Sequence, residues 1–203
     1  MNKIIVSAPA GSGMTYATHL LKLAFNNIVY GGGHERHDIE DKGPQVIILR
    51  DPYDTIASGA ERWVIGSGHK EFQTSKDRVE GTDIEALALR IKWEEKRYLD
   101  FFKNIEDIEN IKILSFELLT QNASKFIEES SSHFGYSYTP DADIENKAMN
   151  DLKLHGYESR APREKFPARK IIESLMSEKY DKQNWECWRI YSELKAKLDE
   201  KGL

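Results

Sequence analysis

The sequence has very little cysteine. Cys187 stands alone among 203 residues, so no internal disulfide can form and no zinc site can be built on cysteines. Its neighbours are Trp-rich and helical in character, a setting for a buried thiol rather than a nucleophile. Apolar runs are short as well. None approaches the roughly 20 residues a membrane-spanning helix needs. Basic excess is also missing: the net charge is −5 and the pI about 5.7, which argues against a general nucleic-acid binder. A strand pattern begins almost at the first residue, so no secretory signal is expected. There is no internal repeat or low-complexity tract. These absences leave a soluble globular protein, expected to be cytoplasmic and to form a single domain over residues 1–203.

Three short apolar runs are rich in Ile and Val: Lys3–Ser7, Gln45–Leu49 and Ile111–Ser115. Nearly continuous runs of this kind suit parallel strands covered on both faces. Helical patterns alternate with them. Thr15–Asn26 follows the first strand and Tyr53–Trp63 the second. Asp83–Asn104 precedes the third strand and Ala123–Phe134 follows it. The alternation predicts an α/β domain, three layers deep, with a central parallel sheet and right-handed crossovers. In such a sheet the ligand sits at the carboxyl ends of the strands. Gly31–Pro44, Val64–Thr82 and Tyr136–Ala168 read as irregular, and helix resumes from Ile171. There, Trp188, Tyr191, Leu194 and Leu198 form a core-facing stripe.

The first strand runs into Pro9-Ala10-Gly11-Ser12-Gly13-Met14-Thr15-Tyr16, a glycine turn opening a helix. Strand, turn and helix make a phosphate cradle, because unpaired N–H groups and the positive helix end converge there. An ATP-hydrolysing loop ends in Gly-Lys-Ser/Thr. Here Met14 stands in the lysine position. The second strand ends in Leu49-Arg50-Asp51-Pro52, and Ser58 follows eight residues after Arg50. An arginine fork at the sheet edge and a hydroxyl two helical turns later can grip one phosphate together.

Together with Ile113-Leu114-Ser115-Phe116-Glu117-Leu118-Leu119, running on to His133-Phe134-Gly135, these two motifs resemble the sulfotransferase superfamily. Its members use 3′-phosphoadenosine 5′-phosphosulfate (PAPS) and adopt a P-loop NTPase-like fold. The resemblance implies that Ala10, Gly11, Ser12, Gly13, Met14 and Thr15 wrap the 5′-phosphate, with hydroxyl donors from Ser12 and Thr15. It places Tyr16 where the family often stacks tryptophan on adenine. Arg50 and Ser58 would hold the 3′-phosphate. Phe116 would stand near the adenine in place of the usual tyrosine. Arg160, Arg163 or Lys165 would add a basic contact to the 3′-phosphate. The family's lysine before Ser/Thr-Gly is Gly11 here, so Arg36, Lys42 or a late-loop cation would have to supply its charge.

The implied activity is transfer of a sulfuryl group to a hydroxyl or amine of a small-molecule or carbohydrate acceptor, with adenosine 3′,5′-bisphosphate as product. It needs no metal, although His34 and His37 could also be read as a metal pair. The general base is expected at His37 first, then His34, then Glu35. His69, Lys70 and Arg78 would offer charge to an anionic acceptor. No nucleic acid and no membrane is expected as partner. Two alternatives stay open: a small P-loop kinase using Asp51 or Asp54 for magnesium, and a non-catalytic nucleotide-binding protein of the same fold.

Overall fold

The computed structural model describes residues 3–9, 11–25, 29–34, 43–66, 84–154, 167–182 and 184–202. Four strands form one all-parallel sheet: β1 (Ile4–Ser7), β2 (Val29–Gly31), β3 (Gln45–Leu49) and β4 (Ile111–Ser115). Their order is β2-β1-β3-β4. The helices among the described residues are α1 (Met14–Ala24), α2 (Pro52–Gly66), α3 (Ile84–Phe102), α4 (Phe116–Gln121), α5 (Ala123–Phe134), α6 (Ile144–Leu154), α7 (Pro167–Lys179) and α8 (Glu186–Glu200).

Strand β3 shows why the fold has three layers. All of its residues are buried, and alternate side chains point to opposite faces. Val46 and Ile48 pack with Leu20, Leu21, Phe126 and Ala148, from α1, α5 and α6. Ile47 and Leu49 pack with Ile56, Leu87, Phe101, Ile172 and Leu194, from α2, α3, α7 and α8. Each such side chain, fully buried, contributes about 1.5–3 kcal/mol. A run apolar on both faces stays in place only when helices cover both.

Among the departures from the sequence reading are two elements in stretches read as irregular. The three-residue strand β2 lies partly inside the stretch read as irregular, and pairs with β1 through Ile4–Val29, Ile5–Tyr30 and Val6–Gly31. It is too short to show a periodicity. Helix α6 lies inside Tyr136–Ala168. Its signal is the four-residue spacing of buried Ile144, Ala148 and Leu152 in otherwise polar sequence. Asp141 prepares its start: its backbone carbonyl accepts from Ile144 N, and its side chain accepts from Asp143 N. Nearby prolines obscure that pattern. Among the described residues, no helix is long and apolar enough to cross a membrane.

The sheet order also locates a site. From β1 the chain passes through α1 to β2 on one side; β3, on the other side of β1, leads through α2 and α3 to β4. The two crossovers cover opposite faces, so a crevice opens between the carboxyl ends of β1 and β3. A groove of about 580 Å³ also lies at the opposite end of the sheet, between the end of α3 and α8. It is lined by Phe102, Lys103, Glu106, Arg189, Glu193 and Lys197. Its charges are mixed and it is far from the switch point.

Candidate functional site

The crevice is built from the turn after β1 and the residues after β3. Ser12 N donates to Pro9 O at 3.2 Å, closing the turn. Gly11 and Gly13 have φ of +92° and +80°, which side chains on an L-residue disfavour. Space is also short. A Cβ on Gly11 would lie 2.7 Å from Ser58 Cβ and 3.2 Å from Thr55 O, and one on Gly13 would lie 2.8 Å from Phe116 Cε2. The turn is therefore pressed onto both α2 and α4. A lysine at position 11 has no room in this turn, so any cation serving the loop must come from elsewhere. Gly11→Ala is expected to destabilise the protein by about 2–4 kcal/mol, from strain plus overpacking. A urea melt within about 0.5 kcal/mol of wild type would count against this path of the turn.

Gly13 is the N-cap of α1, and among the described residues no side chain caps that helix. The first-turn amides of Met14, Thr15 and Tyr16 thus keep their polarity for an anion. Thr15 is half-buried. Ser12 is buried, with Oγ 3.4 Å from Thr55 Oγ1, so its hydroxyl faces α2. Tyr16 and Met14 pack at the margin of the α1 core. Burial, then the charge of Glu145, pushes the Tyr16 phenol up.

Arg50 leaves β3 toward this turn. Its Nη1 donates to Gly11 O, and its guanidinium lies 4.3 Å from the centre of the Phe116 ring. Tyr98 Oη donates to Arg50 O at 3.0 Å and anchors the strand exit. Burial lowers the Arg50 pKa; Asp54 opposes the shift and Arg169 adds to it. Phe116 becomes the wedge between turn and guanidinium, fitting where Gly13 has no side chain.

Arg169, in the first turn of α7, is the residue the sequence did not single out. Its Nη1 donates to Ser58 Oγ at 3.2 Å, its Nη2 to Asp54 Oδ1 at 3.0 Å and its Nε to Glu173 Oε1 at 2.9 Å. Its only local signal is Pro167 at a helix start, followed by two basic residues and an acid four positions on. That pattern ordinarily marks a solvated helix end. Here two guanidiniums, a hydroxyl and an uncapped helix end face one crevice. Asp51 acts on the backbone instead. Its Oδ1 accepts from Tyr53 N at 2.7 Å and from Asp54 N at 3.2 Å, capping α2.

His34 stands on the far side of the turn. Gly32 crosses the end of β1 so closely that a Cβ there would lie 2.2 Å from Ser7 Oγ. Gly32 N donates to Val6 O at 2.7 Å. This crossing brings His34 Nδ1 within 2.7 Å of Ala8 O. A carbonyl has no proton to give, so Nδ1 carries the hydrogen, and in the neutral ring Nε2 holds the lone pair. Arg97 Nη2 donates to His34 O at 3.4 Å, and Arg97 is held in turn by buried Glu94, which rests on Gly59 of α2. His37, Glu35, Ala10, Arg160, Arg163, Lys165, Arg36, Lys42, His69, Lys70 and Arg78 lie outside the described residues. Among those described, no group of three His, Cys, Asp or Glu side chains is placed to hold a metal ion.

Cys187 is buried, and burial followed by the charge of Glu95 pushes its thiol far above the usual range. It takes no part in the crevice. The chain was compared with family models and with curated proteins; no family model matches it, and no curated protein does either.

Proposed function

We propose that this protein is a PAPS-dependent sulfotransferase, moving a sulfuryl group to a hydroxyl or amine of a small-molecule or carbohydrate acceptor. The carrying observation is the pairing, across the β1–β3 switch, of two separate anion-binding features. One is the uncapped start of α1. The other is the Arg50–Arg169–Ser58 cluster. A ligand that fills both must carry charge at two points, as an adenosine with 5′- and 3′-phosphates does. The amides of Met14, Thr15 and Tyr16 hold the 5′ end. Arg50, Arg169 and Ser58 hold the 3′ end. The donor supplies an activated sulfuryl group on its 5′-phosphate.

The chain's own groups do the rest. His34 Nε2 takes the acceptor's proton as the acceptor oxygen or nitrogen bonds to sulfur. The sulfur–oxygen bond to the phosphate breaks with its electron pair on the phosphate, and the first-turn amides of α1 stabilise that growing charge. Arg50, in contact with Gly11 O, ties the loop to the cluster that holds the 3′ end. Glu94 and Arg97 position the His34 backbone.

Against the kinase alternative stand Met14 in the lysine position and Asp51, whose carboxylate is engaged as a helix cap. Thermal shift compares the readings directly. Adenosine 3′,5′-bisphosphate at 100 times its Kd should stabilise by about 2.7 kcal/mol, with AMP and ATP–Mg²⁺ well below it. A preference for ATP–Mg²⁺ would favour the kinase. Transfer of label from radiolabelled PAPS to an acceptor then separates enzyme from binder.

A further inference from the structure

The Asp54 carboxylate stands where a phosphate site has least use for negative charge. It lies in the first turn of α2 and is half-exposed. One oxygen accepts from Arg169 Nη2 at 3.0 Å; the other is 3.5 Å from Arg50 Nη2. Glu173 accepts from Nε of the same Arg169 at 2.9 Å. Two guanidiniums are thus matched by these two carboxylates, and the charges of Asp51 and Glu117 also reach Arg50, so the cluster by itself has no positive excess. A phosphate monoester carries about −1.5 to −2 charges at neutral pH. Placing it on Arg50, Arg169 and Ser58 with both carboxylates unmoved leaves the cluster strongly negative, with like charges at short range.

The two carboxylates are not equally free to yield. Glu173 pairs with Arg169 within one helix, four residues on, and is 24% exposed. Asp54 is 49% exposed, on a different helix from Arg169, with a short side chain that can turn to water. Half-exposure also means that its ion pairs are screened and easily broken. Meanwhile its hold on Arg50 and Arg169 keeps both guanidiniums aimed at the crevice.

Resting on the nucleotide reading above, we propose that Asp54 is a built-in competitor for the 3′-phosphate: it bridges Arg50 and Arg169 until phosphate displaces it, and so limits affinity and speeds product release. Asp54 is then a specificity residue as well. An incoming anion must displace a carboxylate, which favours a dianionic phosphate over chloride or a monoanion.

Asp54→Asn keeps an oxygen acceptor for Arg169 and removes the charge. Asp54→Ser removes the charge with a residue suited to a first helical turn. Both are tested, after a circular-dichroism melt, by calorimetry and stopped-flow with adenosine 3′,5′-bisphosphate and with inorganic phosphate as a second probe. The expected result is about three- to tenfold tighter binding of both ligands at low salt, mostly through slower dissociation, with the gain shrinking as salt rises. Unchanged or weaker binding of both ligands in the folded variants overturns the inference and makes Asp54 a support for the guanidiniums. If the wild-type protein ignores the bisphosphate yet the variants bind inorganic phosphate more tightly, the nucleotide reading fails and the role of Asp54 stands.

Discussion

Replacing His34 with alanine is expected to lower sulfuryl-transfer turnover by roughly 10²–10⁴-fold, with affinity for adenosine 3′,5′-bisphosphate nearly unchanged. The reason is the tautomer. Ala8 O accepts from Nδ1, so Nε2 is the basic nitrogen, and the ring is fixed from behind at 2.7 Å. A ring fixed through Nδ1 leaves Nε2 as the nitrogen for the proposed general-base role. The ring is anchored on Ala8 O and not on Arg50, Arg169 or Ser58, so nucleotide binding should not depend on it. The measurement is kcat with saturating donor, beside a calorimetric Kd for the bisphosphate. If His34→Ala keeps wild-type turnover while His37→Ala or Glu35→Ala loses it, the base belongs to that residue instead. If nucleotide affinity falls together with turnover, His34 supports the loop rather than the chemistry.

Arg50→Ala should remove about 2–5 kcal/mol of bisphosphate affinity, roughly thirtyfold to a few thousandfold in Kd. Arg50 does more than supply charge. It ties the turn after β1 to the end of β3 through Gly11 O, lies over Phe116 and stands beside Asp54. An alanine leaves Phe116 uncovered and Asp54 paired to Arg169 alone, so the remaining cation is more fully neutralised. Arg50→Lys keeps the charge but loses the fork and the planar face for Phe116, so intermediate affinity is expected. Wild-type affinity in a folded Arg50→Ala protein would remove the basis for the proposed function.

Much of this site was legible in the sequence because its parts are local. A strand, glycine turn and helix sit within residues 4–24, and the spacing from Arg50 to Ser58 lies within one strand exit and one helix. That a ligand sits at the carboxyl ends of the strands also follows from the alternation of apolar runs and helical patterns, but its place between β1 and β3 depends on the strand order. The long-range parts were not legible. Arg169 meets Ser58 across 111 positions of sequence, and its local pattern is that of an ordinary helix end. Phe116 reads as a substituted tyrosine. Its place beneath Arg50 depends on β4 lying beside β3.

The two histidines make the same point. In sequence, His34 and His37 are titratable residues of one polar stretch, with His37 the first expectation for the base. Strand β2 and the close crossing of Gly32 deliver His34 to Ala8 O, while His37 lies outside the described residues. By itself the sequence determined the alternation of strands and helices, the glycine turn and the arginine at the sheet edge. Hydrophobic period and turn chemistry act over a few residues, so they can be read in order. The tertiary structure alone decided that Arg169 joins Arg50 and Ser58, that Asp54 lies between the two guanidiniums, and that His34 is anchored on a backbone carbonyl. Those are matters of distance between segments far apart in the chain, and the packing of α2, α3 and α7 on one another together with the pairing of β2 on β1 sets them.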